Sequence, residues 1–237
     1  GKSTSLSPNI SLYSEGLNGV TIPKETETLL QLVNLYFKSP RKDTAAFSSF
    51  KTRQKQLFAN LSSNPQIYFS SEFQKLMTKN HPRAGGIPKP EDLDKVNLDR
   101  SMQIYKERFA NAGDFTFFFV GSFNEDSIKP LIEKYIGSLP SLPKKETYKD
   151  LGIRPPVGMV KKEINKGSDQ KSLVAMVFNT PAPYSAKEAL SLNSLAEIMS
   201  IKLIEQLREE KGGVYGISAY ANFSRIPVSA ASFTVTF

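Results

Sequence analysis

The sequence LIEQLREEKGGVYGIS, residues 203–218, connects a predicted helix to a predicted strand and decides how the second part of the chain is organised. Apolar residues recur at helical spacing from about residue 186 to residue 210, which predicts one long amphipathic helix. Gly212 and Gly213 then allow the chain to reverse, because glycine adopts backbone conformations that other residues avoid. A returning strand is predicted over residues 214–221.

Two side chains of this stretch could bind one ligand together. Arg208 lies in the last predicted helical turn and Tyr215 on the predicted strand, so the reversal could bring them near each other. A guanidinium and a phenol hydroxyl both donate hydrogen bonds, which suits a peptide carbonyl and the oxyanion formed when that carbonyl is attacked. Spacing alone favours a simpler interpretation, in which Arg208 complements the helix C-terminus and Tyr215 fills the core.

Helices and strands are predicted in a mixed order along the rest of the chain. The helices have apolar residues at the 3.6-residue spacing and are predicted over about residues 23–38, 43–63, 98–111 and 128–135. Strands are predicted near Ile10 and Leu12 and over residues 115–120, 159–164, 172–178 and 233–237. The run 115–120 is almost wholly apolar, so we expect it to be covered on both faces. This mixture predicts an α+β fold.

A linker is predicted in the middle of the chain. Residues 138–158 contain four prolines and several charges without any apolar period. We therefore expect a domain boundary near residue 150.

The composition excludes several kinds of site. The chain has no cysteine, and His81 is its single histidine, so a thiolate site or a two-histidine metal site cannot form within it. His81 precedes a proline in a polar loop, where a histidine is more often exposed or hydrogen-bonded than a metal ligand. Glu91, Asp92 and Asp94 could hold Mg²⁺ or Ca²⁺, although they are more typical of a first helical turn.

The charge of the chain predicts a basic, solvated surface. The formal net charge is +8, but lysine and arginine are scattered and no nucleic-acid-binding motif accompanies them. We therefore expect no nucleic acid as a partner. No apolar run approaches the length needed to cross a bilayer, so we also expect no membrane span.

Several motifs resemble those of one peptidase family. The stretch 203–218 is similar to the C-terminal Arg/Tyr motif of the pitrilysin/insulinase family of zinc peptidases, called M16. The run YKERFANAGDFTFFFVG at residues 105–121, followed by YIGSLP at 135–140, resembles the family's helix, strand and helix. Residues 28–32 and the pair Asn64-Pro65 also match an early helix and a turn of the family.

The resemblance implies a fold and a division of labour. Members of the family have an α+β fold of the LuxS/MPP-like metallohydrolase type, with layers of mainly antiparallel sheet packed with helices. In their active half, an H-x-x-E-H motif and a downstream Glu bind zinc, and the motif Glu is the general base. This chain has no H-x-x-E-H, and QKQLFAN at residues 54–60, where the downstream Glu is expected, contains no carboxylate. The resemblance assigns substrate binding to Arg208 and Tyr215, and no catalytic or metal-binding residue.

The resemblance therefore predicts a non-catalytic C-terminal half of an M16 peptidase that binds peptide and is inactive alone. Its partner is a catalytic half, in the same polypeptide or in another subunit, which contains the zinc; this chain contains no cofactor. Residues 1–143 are expected to be the C-terminal part of one M16 unit, 144–158 a Pro-rich linker, and 159–237 the start of the next unit. Family habit and the absence of cysteine predict a periplasmic or exported protein.

Two other functions remain open at this stage. The chain could be a purely structural, inactive M16-like scaffold domain, or its charge could make it a module that binds acidic partners. An H-x-x-E-H motif upstream in a longer protein would favour the peptidase, and its absence would favour the scaffold.

Overall fold

The computed structural model describes residues 1–143, 145–168 and 170–237. Lys144, the first residue of the predicted linker, lies outside the described residues. The main helices and strands occur in the following order: β1 (Ser5–Ile10), β2 (Glu15–Val20), α1 (Thr26–Lys38), α2 (Thr44–Ser63), α3 (Pro65–Met77), α4 (Leu98–Arg108), α5 (Glu125–Tyr135), β3 (Ala175–Pro181), α6 (Ala186–Leu203), β4 (Ser218–Ser224) and β5 (Ala230–Thr236). A π-helical segment, Ile204–Glu210, continues α6.

The chain forms two compact units. The first contains residues 1–57 and 89–148, and the second contains residues 58–88 and 149–237. The change of unit between residues 148 and 149 lies inside the predicted linker, whereas residues 58–88 pack with the second unit instead of the first. The division of the chain into M16 units at residues 144–158 stays a prediction.

Aromatic side chains form the core of the first unit. Val33 and Phe37 of α1 are buried together with Phe109 and Leu139. The ring centroids of Phe37 and Phe109 are 5.5 Å apart in an edge-to-face arrangement, a geometry worth about 0.5–1.5 kcal/mol beyond the buried area. Tyr105 stacks on Phe109 with a centroid distance of 4.5 Å.

Beside this core, the polar group of Tyr105 has a hydrogen-bond partner. The Tyr105 hydroxyl donates to the Tyr36 carbonyl at 3.0 Å. Burial of the phenol raises the pKa of Tyr105 to about 12, because the charged phenolate is disfavoured away from water.

The hairpin β1–β2 is antiparallel, and its Leu6 and Leu17 pack against the same core.

The second unit contains a three-stranded antiparallel sheet in the order β3-β5-β4. Phe178, Phe233 and Ala221 are aligned across its three strands. Helix α6 is joined to β4 by Ser200, whose hydroxyl accepts the Ala219 N–H at 2.8 Å and lies 3.0 Å from the Ala219 carbonyl oxygen. This contact fixes the end of α6 beside the start of β4.

The α+β fold with antiparallel sheets confirms the predicted class. The long helix predicted over about residues 186–210 is also confirmed, and its last part, residues 204–210, has a π-helical winding that the sequence does not predict. The predicted strands 115–120 and 159–164 are wrong, because neither segment pairs with another strand in the described part of the chain. An apolar run has the propensity to form a strand, but it also needs a neighbouring strand with which to form backbone hydrogen bonds. The exposed side chains of Phe118, Val120 and Met159 show that these runs are not covered on both faces.

Helix α3 was not anticipated from the sequence. The sequence analysis matches Asn64-Pro65 to a turn of the family, and in the structure this pair is the start of a new helix. The Asn64 side chain accepts hydrogen bonds from the N–H groups of Gln66 and Ile67 at 3.0 and 3.1 Å, and Pro65 occupies the first helical position. An Asn-Pro pair therefore ends one helix and caps the next.

Candidate functional site

The end of the long helix is wound differently from the rest. Residues 204–210 form a π-helix, which is wider than an α-helix and is frequently found at functional sites. Gly212, with a φ of +59°, ends the segment in the left-handed conformation that favours glycine. The N–H groups of Gly212 and Gly213 donate to the carbonyls of Arg208 and Leu207 at 3.1 and 3.0 Å. The reversal predicted at the two glycines is confirmed.

Arg208 presents its guanidinium to solvent at this end. Its side chain is 55% exposed, and its Nε lies 3.6 Å from a carboxylate oxygen of Glu209. An exposed ion pair of this kind contributes about 0–1 kcal/mol, so a ligand can replace Glu209 at small cost. The Arg208 side chain is therefore available to a ligand that accepts hydrogen bonds.

Tyr215 is fully exposed, with a relative accessibility of 103%. It lies outside β4, which begins at Ser218, so the prediction that Tyr215 is on the strand is wrong. The simpler interpretation, in which Tyr215 fills the core, is also wrong. Its neighbour Ile217 is 7% exposed and Val214 is half-buried, so the chain is anchored on both sides of the exposed ring.

The structure places Arg208 and Tyr215 on the two sides of one reversal. Across the described residues, no hydrogen bond or ring contact joins these two side chains, and both are directed toward solvent. Sequence reasoning placed the two residues at the reversal but missed their exposure and the π-helical winding. No sequence pattern predicts the exposure or the π-helical winding, because both depend on which residues pack beside the end of the helix.

A second ion pair lies one turn earlier. The Lys202 ammonium donates to a carboxylate oxygen of Glu205 at 2.7 Å, and this hydrogen bond raises the pKa of Lys202. Lys202 is therefore held as a cation beside the π-helical segment.

Metal-binding groups do not cluster in the described part of the chain. Among those residues, no group of three or more His, Cys, Asp or Glu side chains could hold a metal ion. The His81 Nδ1 accepts the Arg83 N–H at 3.2 Å, which makes His81 a local turn residue. Asp92 accepts the Lys89 N–H at 3.0 Å, and Asp94 pairs with Lys55 at 2.6 Å, so these carboxylates serve a short helix at residues 90–95.

Within residues 1–143, 145–168 and 170–237, none of the helices has the length and apolarity that a bilayer span requires.

The fold agrees with a match to a family of known sequences. Residues 95–237 match the family model described as the peptidase M16 inactive domain, and the chain therefore belongs to the M16 peptidase family. The matching part is a non-catalytic M16 domain of a zinc protease-like protein.

Individual relatives are much longer than this chain. The probable zinc protease PqqL of Haemophilus influenzae is 22% identical over 209 residues, which cover 87% of this chain and 22% of that protein. The crystal structure of the periplasmic protease PqqL from Escherichia coli is similar over the whole chain, with 17% identity, a TM-score of 0.81 and 26% of its length covered. A mutant of the ferredoxin protease FusC in complex with Arabidopsis ferredoxin gives 17% identity, a TM-score of 0.72, and coverage of 100% of this chain and 25% of that one. The chain thus spans about a quarter of the length of these relatives.

Proposed function

We propose that this chain is the substrate-holding, non-catalytic half of an M16 zinc metallopeptidase. A catalytic half, in the same polypeptide or in a partner subunit, contains the zinc and the general base. Arg208 hydrogen-bonds a carbonyl of the bound peptide, and Tyr215 stabilises the oxyanion that forms when the scissile carbonyl is attacked.

The exposure of Tyr215 is the observation that carries this proposal. Its ring and hydroxyl are fully accessible, while Ile217 on the same short connection is buried. A phenol held in this way keeps its hydrogen-bond donor for a group from outside the chain. Arg208 supplies a second donor from the other side of the reversal, and its ion pair with Glu209 is weak enough to exchange.

Zinc does not fit the residues that the structure describes. A catalytic zinc site needs three protein ligands and one open position, and the described residues offer no such group. Zinc in the catalytic half would activate water there, and the residues of this chain only bind and orient the peptide.

Export to the periplasm is part of the proposal. The similar protease PqqL of E. coli is periplasmic, and this chain lacks the cysteines that an oxidising compartment would otherwise pair. Fractionation of cells that express the complete gene tests this location, and recovery of the protein only from the cytoplasm would contradict it.

Peptide hydrolysis by the assembled peptidase tests the two residues. Tyr215→Phe removes the hydroxyl alone and is expected to lower kcat about 100-fold, as loss of one oxyanion donor does. Arg208→Ala is expected to lower kcat/KM by at least about tenfold, the equivalent of one charged hydrogen bond. Lys211→Ala, on the same turn as Arg208, is the matched control and should keep wild-type kinetics. Wild-type turnover in both test variants would end the assignment.

An inactive scaffold is the second candidate function. The outer face of α6 carries four exposed apolar side chains, which suit packing against another domain: Leu190 (68% exposed), Leu195 (47%), Ile198 (57%) and Ile201 (57%). If the chain is only a scaffold, Ile198→Lys and Ile201→Lys will disrupt assembly while Arg208→Ala and Tyr215→Phe change nothing. If Arg208→Ala and Tyr215→Phe lose turnover while assembly stays intact, the result favours the substrate-holding function.

A further inference from the structure

The connection between α6 and β4 contains two glycines that the rest of the chain does not require. Glycine is required where φ is positive or where a Cβ would press against a neighbouring atom. All glycines of the chain lie among the described residues, and, apart from the N-terminal Gly1, only Gly213 and Gly216 meet neither condition. A Cβ at Gly213 would have only the Leu207 carbonyl oxygen near it, at 3.8 Å, and a Cβ at Gly216 would have no described atom within 4 Å.

Both glycines lie beside Tyr215 and are exposed. An exposed glycine in an ordinary backbone conformation lowers stability, because glycine loses more conformational freedom on folding than any other residue. This cost falls twice in the short segment that also exposes the Tyr215 ring. The described part of the chain offers no compensating contact at either glycine, so we look for one with a molecule that binds this segment.

The segment is anchored on both sides of Tyr215. Before it, the Gly213 N–H donates to the Leu207 carbonyl at 3.0 Å. After it, Ile217 is 7% exposed, and the Ala219 N–H donates to the Ser200 hydroxyl at 2.8 Å. The backbone between these anchors is therefore held in one place while its surface is open to solvent.

The absence of a Cβ lets another backbone come close. A neighbouring chain can approach a glycine nearer than an alanine by about one carbon–carbon bond, roughly 1.5 Å. Glycine is accordingly used where a backbone and a ligand make close contact. The main chain of a peptide is available for such contact when the peptide is extended, because in a helix the side chains surround it.

We propose that Gly213 and Gly216 determine which peptides this chain binds, because the main chain of an extended substrate packs directly against the backbone of residues 213–216. The peptide fills the space that two Cβ atoms would otherwise occupy. This inference rests on the proposed substrate-holding function and adds a contact to the two donors, Arg208 and Tyr215. The glycine contact is the same before and during the reaction, whereas the Tyr215 hydroxyl acts on the oxyanion.

Steady-state hydrolysis of an unstructured peptide by the assembled peptidase tests the proposal. Gly213→Ala and Gly216→Ala each place a methyl group in the contact, so KM should rise at least about tenfold. Because the contact does not change during the reaction, kcat should stay within about twofold of wild type. Gly152→Ala adds the same methyl group in the linker and should keep the wild-type KM. A wild-type KM in both test variants, or a loss confined to kcat, would overturn the inference.

Thermal unfolding of the chain separates a substrate contact from a requirement of the fold. Gly213→Ala and Gly216→Ala should leave Tm unchanged or raise it by up to about 3 °C, because alanine restricts the unfolded chain. Gly212, with a φ of +59°, provides the contrast, and Gly212→Ala should lower Tm by about 2–4 °C. If the other two variants lost as much as Gly212→Ala, the fold itself would require these glycines and the inference would be wrong.

The assembled peptidase distinguishes the peptide from another part of the longer protein. The elution volume of Gly213→Ala and Gly216→Ala in size-exclusion chromatography should equal that of wild type, and their Tm should not fall. A change in elution or a lower Tm would show that the two glycines pack against another domain, which would contradict the proposal.

The failure of this inference and the failure of the proposed function give different results. If Tyr215→Phe and Arg208→Ala lower turnover while both glycine variants keep the wild-type KM, only the glycine contact is wrong. If Tyr215→Phe and Arg208→Ala keep wild-type kinetics, the proposed function is wrong and this inference fails with it.

Discussion

The two units of this chain contrast in how they use their apolar and polar side chains. Seven of the ten buried apolar residues that the structure describes lie in the first unit, and four of them form its aromatic core. The second unit buries Ala196, Ile217 and Val235, and it presents Arg208 and Tyr215 to solvent. The first unit therefore contributes most of the buried apolar core, whereas the second unit exposes the two side chains to which we propose a substrate-binding role.

The largest expected effect is a loss of stability in the first unit. Phe109 is 2% exposed, and Phe109→Ala removes a ring from a packed aromatic core, so the free energy of unfolding should fall by about 3–5 kcal/mol. Urea unfolding of the chain measures this change. The matched control is Phe118→Ala, which alters an exposed ring and should change stability by less than about 0.5 kcal/mol. If Phe109→Ala and Phe118→Ala lowered the free energy of unfolding by similar amounts, burial of the ring would not explain the contribution of Phe109.

The next effect concerns the reversal in the second unit. If Arg208 and Tyr215 hold the same part of a peptide, their effects on kcat/KM should be coupled by about 0.5–3 kcal/mol. A double-mutant cycle with Arg208→Ala and Tyr215→Phe, measured on the assembled peptidase, gives this coupling. Strictly additive losses would show that the two residues contact separate parts of the substrate.

A smaller effect lies at the start of α3. Asn64→Ala removes the side-chain acceptor for two backbone N–H groups, so it should destabilise the second unit by about 1 kcal/mol. Asn64→Asp retains the acceptor and should stay within a few tenths of a kcal/mol of wild type. Thermal unfolding of both variants measures the difference, and equal stability of the alanine and aspartate variants would contradict the capping role.

The smallest effect is a pH-dependent ion pair. Glu72 accepts hydrogen bonds from Lys162 and Lys75 at 2.8 and 2.6 Å, and these bonds lower the pKa of its carboxyl group. Because the folded-state pKa lies below the unfolded value, the stabilisation is present above the unfolded pKa and is lost as the pH falls through the folded pKa.

The stability difference between wild type and Glu72→Gln should therefore be at most about 1 kcal/mol at pH 7 and should disappear in acid. Unfolding curves measured between neutral pH and pH values below 4.5, the ordinary carboxyl pKa, test this expectation. A difference that persists unchanged in acid would show that Glu72 acts through packing and not through charge.

The sequence predicted most of the helices because their signals are local. The apolar spacing of α1, α4, α5 and α6 needs no distant partner. Helix caps are local as well: the Asp43 carboxylate accepts the Ala46 N–H at 2.8 Å at the start of α2. Strands were harder to predict, because an apolar run such as 115–120 becomes a strand only where another strand pairs with it.

The sequence predicts only part of the geometry around the candidate site. The residue types at 208 and 215 and the glycine reversal follow from the sequence, and the match to the M16 inactive domain confirms the family. The exposure of Tyr215 and the winding of residues 204–210 could not be predicted, because they depend on which neighbours are close in space.

The zinc content of the chain tests the central claim most directly. The claim is that these 237 residues, with one histidine and no cysteine, contain no catalytic metal site and act beside a half that does. Native mass spectrometry and metal analysis should find no stoichiometric zinc on the chain alone and one zinc per molecule of the assembled peptidase. One zinc bound by the side chains of the isolated chain would contradict the account.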